Sequence, residues 1–390
     1  MTLGARPRVL IAGAGVAGLE TLLALRASAG ARVEVTLVAP EPKFINRSMS
    51  VDQPFKPQRV RGISLQDIAD ALDARWHRGT LDRVEHARRR AVTKEGRELG
   101  YDLLVLATGA RSTRTSRSRA VITFRGNRDA PQYRMLLHQL ASGQVERLAF
   151  VIPPAPSWPS PLYDLSLLTA AYCADRHLDV ELRIITPEPQ PLSIFGDAVS
   201  SLVRQRLAAA GIAVHTHRYG AVRADGSLEL RPGRSRLAAD RIVTLPTLVG
   251  PRLRGVPCSG DGFLQTDRHG RISGLNGVYA AGDATTFPVK QGGLAAQQAD
   301  AVAETIAASV GAAVHPKPFR PVLRAALLTG RSPLYMRADI SVGTSIDSVA
   351  SEEPLWWPPI KLCGRYLAPF LSSRVGDAAD VMPQHARSGS

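Results

Sequence analysis

Cysteine is scarce in this chain, with three among 390 residues. Cys173, Cys258 and Cys363 show neither CxxC nor metal-ligand spacing, which argues against a disulfide framework and a structural metal and fits a reducing cytoplasm. Aromatic residues are few, at 5%, and no window approaches the ~20 apolar residues of a membrane span. No signal peptide is visible. The expectation is a cytoplasmic protein, either soluble or peripheral at the inner face of a membrane. Acidic residues are outnumbered, 34 against 49 Lys and Arg, which leaves a net charge of +15. Such an excess would suit nucleic acid or an anionic membrane, yet most of the arginines are scattered. The compact run Arg88-Arg89-Arg90 precedes a predicted hairpin turning at Gly96, with no aromatic residues interleaved as stacking platforms. Nucleic acid is therefore not expected as a partner.

Glycine, by contrast, is plentiful and specifically placed. Arg8-Val9-Leu10-Ile11-Ala12 is a mostly apolar run of strand type, Gly13-Ala14-Gly15-Val16-Ala17-Gly18 follows at once, and Leu19 to Ala27 supplies helix formers. Strand, tight turn and helix together form a dinucleotide-binding signal. Gly13 allows the turn, Gly15 lets a pyrophosphate approach the backbone, and Gly18 permits close packing of a helix whose N-terminus faces negative charge. A second strand, Val33 to Val38, completes the βαβ pattern. Glu41, just beyond it, is the candidate for a ribose, with a solvated turn carboxylate as the alternative. Tyr101 to Leu106 predicts a buried parallel strand ending at Ala107-Thr108-Gly109, where small side chains permit close backbone approach. Far downstream, strand-like Val278 to Ala281 ends at Gly282-Asp283, the end at which ligands meet a doubly wound sheet.

This ordered set resembles the pyridine nucleotide-disulfide oxidoreductase superfamily over roughly residues 6 to 310, with type II NADH dehydrogenases and sulfide:quinone oxidoreductases as the nearest groups. The resemblance implies an α/β chain of two Rossmann-like dinucleotide-binding domains, the second inserted in the first, plus a C-terminal region. The expected boundaries are 1–114 and 263–311 for an FAD-binding domain, 115–262 for the inserted domain, and 312–390 for an interface or membrane-surface region with a disordered end from Gln384 to Ser390. It also implies FAD as the cofactor, held by Gly13, Gly15, Gly18, Glu41, Ala107, Thr108, Gly109, Gly282 and Asp283. A helix-like stretch from Leu294 to Ala308 follows Lys290-Gln291-Gly292-Gly293, and the family places a similar element beneath the isoalloxazine. A helix N-terminus suits the pyrimidine edge of reduced flavin. Lys290 and Gln291 are thus the candidate catalytic residues, with an exposed lysine and a solvated loop amide as the plain alternatives.

The inserted domain departs from the pattern. After strand-like Leu148 to Ile152, where an NAD(P)H domain carries a second glycine turn, the chain reads Pro153-Pro154-Ala155-Pro156-Ser157-Trp158-Pro159-Ser160-Pro161. Proline supplies no amide hydrogen for a pyrophosphate and cannot take positive φ. The paired redox cysteines of sulfide:quinone oxidoreductases are not reproduced either. Trp158 and Tyr163 suit either an apolar substrate channel or loop packing. In the tail, Tyr366, Leu367, Phe370 and Leu371, rimmed by Lys361 and Arg365, fit a membrane surface or a helix packed on the FAD domain. The expected function is an FAD-dependent oxidoreductase that passes electrons from NAD(P)H or another small donor to a quinone or other acceptor. The alternatives are a sulfide:quinone-like reductase without the cysteine pair and a non-enzymatic flavin-binding redox sensor. A homodimer is left open.

Overall fold

The computed structural model describes residues 6–46, 50–56, 62–113, 116, 118–154, 158–223, 227–340 and 347–374. Ala155 to Ser157 of the proline-rich stretch and the end expected to be disordered, Gln384 to Ser390, lie outside the described residues.

The first strand, Arg8–Ala12, shows why its sequence is apolar almost throughout. Successive side chains point to opposite faces, and both faces are covered. Val9 and Ile11 join a core with the first helix, Val16–Ser28, while Leu10 and Ala12 join a second core on the other face. This strand is central in a five-stranded sheet ordered Val278–Ala280, Leu103–Leu106, Arg8–Ala12, Glu34–Ala39, Ala74–Arg78, with every pairing parallel. A three-stranded antiparallel meander, Leu81–Glu85, Arg90–Thr93 and Glu98–Gly100, carries the chain from the edge of the sheet back to Leu103. The predicted hairpin is its last turn, with Gly96 at φ +82°.

The inserted domain repeats this plan. Its parallel sheet is ordered Val121–Thr123, Arg241–Thr244, Arg147–Val151, Glu181–Ile185, Ile212–His215. A second meander, Tyr219–Val222, Leu228–Arg231 and Ser235–Leu237, again precedes the strand that returns beside the central one. Corresponding places in the two sheets can therefore be compared. Where the chain enters and leaves this domain, Arg111–Thr113 pairs antiparallel with Thr247–Val249.

The C-terminal region adds a three-stranded antiparallel sheet, Val322–Leu327, Leu334–Asp339 and Ser348–Ser351, whose apolar face enters the core of the inserted domain. A last helix, Leu367–Arg374, buries Leu367 and Leu371 against the helices of the FAD domain. The packing expected of this helix is observed. Its first turn is held by Glu20, fully buried on the first helix, which accepts the Tyr366 and Leu367 amide hydrogens at 2.8 and 2.7 Å. Lys361 is not at a surface rim: its ammonium donates to the buried carboxylate of Asp164. No helix among the described residues is long and apolar enough to cross a membrane.

Candidate functional site

A cavity of about 610 Å³ opens at the C-terminal ends of the first sheet's strands. It lies where the strand order reverses between Arg8–Ala12 and Leu103–Leu106, the place at which doubly wound sheets meet their ligands. Gly13, Gly15, Glu41, Ala107, Thr108, Gly109 and Asp283 all line it, so residues from four separate stretches of sequence converge there.

Each glycine of the first turn has its own geometric reason. Gly13 has φ +111°, and a Cβ on it would stand 2.2 Å from the Ala107 carbonyl oxygen. Gly18 lies outside the cavity lining; a Cβ there would meet the Gly13 carbonyl oxygen at 1.9 Å, so it sets how closely the helix approaches the turn. Gly15 caps the helix, and a Cβ on it would meet nothing within 4 Å, which leaves that side of the backbone open to the cavity. No side chain caps the helix and no acidic residue stands in its first turn, so its free amide hydrogens suit a phosphate. Gly282, at φ +77°, lets the last strand turn beside Ala17 and Ala295 and donates its amide hydrogen to Gln298 Oε1 at 2.7 Å.

The polar groups are placed for a ligand with phosphates and hydroxyls. Thr108 Oγ1 is buried in the cavity wall without a protein hydrogen-bond partner, an arrangement that needs a partner from elsewhere. Asp283 is half-buried on the wall. Glu41 is exposed at the rim and faces Arg128 of the inserted domain at 3.7 Å. These features, with the glycine cradle, fit FAD.

Lys290 and Gln291 lie beyond this cavity. Lys290 is buried, 9% exposed; its ammonium donates to the Thr285 carbonyl oxygen and sits 4.0 Å over the Phe263 ring. Burial pulls it down to about 8, opposed by the charge of Asp283. The plain reading of an exposed loop lysine therefore does not hold. It lines a separate cavity of about 180 Å³ between the domains, walled by Val51, Phe124, Pro153, Trp158 and Leu245 among others. Gln291 is the N-cap of the helix Gly292–Ser309: its side-chain oxygen accepts from the Leu294 amide and its nitrogen donates to the Arg324 carbonyl, both at 2.9 Å. Its amide is thus engaged at both ends within the protein.

Trp158 lines the smaller cavity, whereas Tyr163 is wholly buried and donates its hydroxyl hydrogen to Glu188 at 2.6 Å. The substrate-channel reading holds for neither face of Tyr163, because no part of it is exposed. The three cysteines are free; burial pushes the Cys173 thiol up to about 11 and the half-buried Cys363 up to about 12, so both stay protonated at neutral pH.

With this geometry in hand, a family model described as pyridine nucleotide-disulphide oxidoreductase matches residues 7–149 and 166–306. The chain belongs to that family. It is an FAD-dependent oxidoreductase, built as expected on two nucleotide-fold domains, the second inserted in the first. A curated relative, the ferredoxin reductase component of a chlorobenzene dioxygenase from Cupriavidus sp. (strain PS12), is 27% identical over 329 residues, covering 78% of this chain and 74% of that one. The sulfide:quinone oxidoreductase of Aquifex aeolicus has the same fold with a TM-score of 0.80 at 18% identity, covering 89% of this chain and 87% of that one. A ferredoxin reductase from Rhodopseudomonas palustris superposes with a TM-score of 0.67 at 18% identity, over 87% of this chain and 84% of its own.

The sequence reading did not find Glu20, Asp164 or Glu188, the buried carboxylates that organise the interior. A signal existed for Glu188 alone: it follows the second strand of the inserted domain much as Glu41 follows the second strand of the first domain.

Proposed function

We propose that this enzyme takes two electrons from a small donor other than NAD(P)H and passes them to a quinone, which takes up two protons and becomes the quinol. One observation carries the donor part. The helix Ser160–Ala174, which in a nucleotide-binding domain offers its first amides to a pyrophosphate, has Pro159 at its N-cap and Pro161 in its first turn. Each proline removes an amide hydrogen, and neither can take the positive φ that Gly13 uses in the first domain.

When bound, FAD supplies the electron-carrying chemistry. Asp283 and Thr108 would orient it, and the uncapped first helix would turn its free amides to the phosphates. Lys290 places a positive charge at the junction between the domains, in an apolar setting where that charge acts strongly on electron density developing nearby. The 180 Å³ cavity beside it is smaller than the ~300–1,000 Å³ typical of drug-sized ligands, which favours a small donor.

A second reading, reduction by NAD(P)H with a ferredoxin-like protein as acceptor, draws support from the similarity to the chlorobenzene dioxygenase reductase component. Anaerobic mixing separates the two. Followed at the flavin absorbance, NADH and NADPH are expected to give no saturable reduction, and chemically reduced enzyme is expected to reoxidise with a short-chain quinone through many turnovers. Saturable reduction by either nucleotide would restore the ferredoxin-reductase reading. Failure of every donor and acceptor to turn over would favour a redox sensor.

A further inference from the structure

The two domains share the order of four strands, the returning strand, the central strand and the two that follow it, so the fate of the ribose-binding place can be followed in both. In the first domain the chain leaves Glu34–Ala39 and reaches Glu41, whose side chain is 67% exposed at the rim of the large cavity. In the inserted domain the chain leaves Glu181–Ile185 and reaches Glu188, which is 9% exposed and turned inward. Its carboxylate accepts the Tyr163 hydroxyl at 2.6 Å and the Thr186 hydroxyl at 2.9 Å on the same oxygen, Oε2. Both hydroxyl residues are fully buried.

We propose that Tyr163 and Thr186 occupy, as permanent residents, the place of a ribose diol in the inserted domain, and that with Glu188 they determine donor specificity by excluding adenine dinucleotides. The proposal rests on the reading that the donor is not NAD(P)H. It goes further, because it assigns the exclusion to particular side chains rather than to the proline turn alone. A carboxylate that recognises a ribose presents two acceptor oxygens to a pair of hydroxyls. Here a pair of hydroxyls from the protein already binds one oxygen.

The same network closes the space beside it. The turn Ser193–Phe195 follows; Leu192 and Phe195 have no exposed surface, and the Phe195 ring packs edge-on to Trp158 at 6.1 Å between centroids. Tyr163 comes from the first turn of the helix that follows the proline segment, where it spans from the pyrophosphate side of the crevice to its ribose side. To admit a nucleotide, the protein would have to expel a buried tyrosine and leave Glu188 without donors, and an unpaired buried carboxylate is costly.

ADP-ribose tests this directly, because it carries the nucleotide's adenosine diphosphate but no nicotinamide and cannot reduce flavin. Calorimetric titration of the FAD-loaded wild type is expected to show no saturable binding tighter than about 1 mM. Tyr163→Ala frees Glu188 and opens the place, and is expected to gain binding by about tenfold or more, the worth of a hydrogen bond to a charged group. Tyr163→Phe keeps the ring in place and is expected to remain without binding. Saturable binding by wild type or Tyr163→Phe overturns the proposal, and so does a folded, FAD-loaded Tyr163→Ala that gains nothing. If Tyr163→Ala does not retain FAD, Tyr163→Val takes its place, with the same gain expected and no gain overturning the proposal. Flavin reduction by NADH that ADP-ribose does not inhibit would overturn the donor reading while agreeing with a closed crevice.

Discussion

Lys361 and Asp164 meet inside the protein across 197 positions of sequence. The carboxylate is fully buried and the ammonium side chain 10% exposed, and the second carboxylate oxygen accepts the Leu328 amide hydrogen at 2.8 Å. The pair joins the helix after the proline segment to the C-terminal region. Removing one partner leaves the other charge buried and alone, so Lys361→Ala is expected to cost about 3–5 kcal/mol. Denaturant unfolding of the FAD-loaded protein checks it. Lys361→Ala within about 1 kcal/mol of wild type would mean that the charge escapes to water.

Substitutions in the glycine turn should separate packing from binding. Gly18→Ala forces a methyl group into the Gly13 carbonyl and is expected to lower stability by at least about 1–3 kcal/mol as well as to lose FAD. Gly15→Ala meets no protein atom within 4 Å, so it is expected to fold normally and lose FAD affinity alone. Flavin content and melting temperature, measured on both, distinguish the two effects. A Gly15→Ala protein with unchanged FAD affinity would remove the pyrophosphate from that side of the turn.

Lys290→Ala is expected to slow flavin reduction or acceptor turnover more than it weakens FAD binding, since the charge acts at the reacting end. The pH dependence has a definite direction. Burial holds the amine at about 8, so the charge is present below that pH and lost above it. The rate attributed to the charge should fall as pH rises through about 8, and Lys290→Ala should abolish that limb of the profile. Identical profiles for both proteins would leave Lys290 a structural residue.

Glu20 and Asp300 face each other beneath the last helix, in the presence of Glu304, Arg365 and Tyr366. Burial, together with the charge of Glu20, raises Asp300 well above the ordinary carboxylate range. The folded state therefore binds a proton that the unfolded chain has released, and stability falls as pH rises from the ordinary range toward the raised value. Asp300→Asn is expected to flatten this dependence, with its largest gain in melting temperature at the alkaline end. Equal slopes for both proteins would place no shared proton at this site.

The parts legible in the sequence were those in which local chain geometry and ligand chemistry impose the same residue. Gly13 and Gly18 are constrained by backbone contacts as well as by the turn, and the apolar run at Arg8–Ala12 follows from a strand covered on both faces. Element ends moved by a few residues: the first helix begins at Val16 rather than Leu19, because the turn's last residues already contribute backbone hydrogen bonds to it. Gln291 was visible as a residue before a helix, but its partner Arg324 stands 33 residues later in a sheet the sequence did not announce. Glu20, Asp164 and Lys361 were illegible for a related reason. A charge in an apolar helix reads as a solvent-facing position until the distant donor that satisfies it is known.

The ladder between Arg111–Thr113 and Thr247–Val249 bears on how the enzyme can move. Among the described residues, the crossings at Arg111–Thr113 and Thr247–Val249 run side by side and are hydrogen-bonded to each other, with Thr113 Oγ1 donating to the Thr247 carbonyl at 3.1 Å as a further tie. Joined in this way they form one two-stranded ribbon rather than two independent linkers. The C-terminal region makes a second tie, its sheet set into the core of the inserted domain and its last helix packed on the FAD domain, so the walls of the cleft are held together at two places and not by the ladder alone.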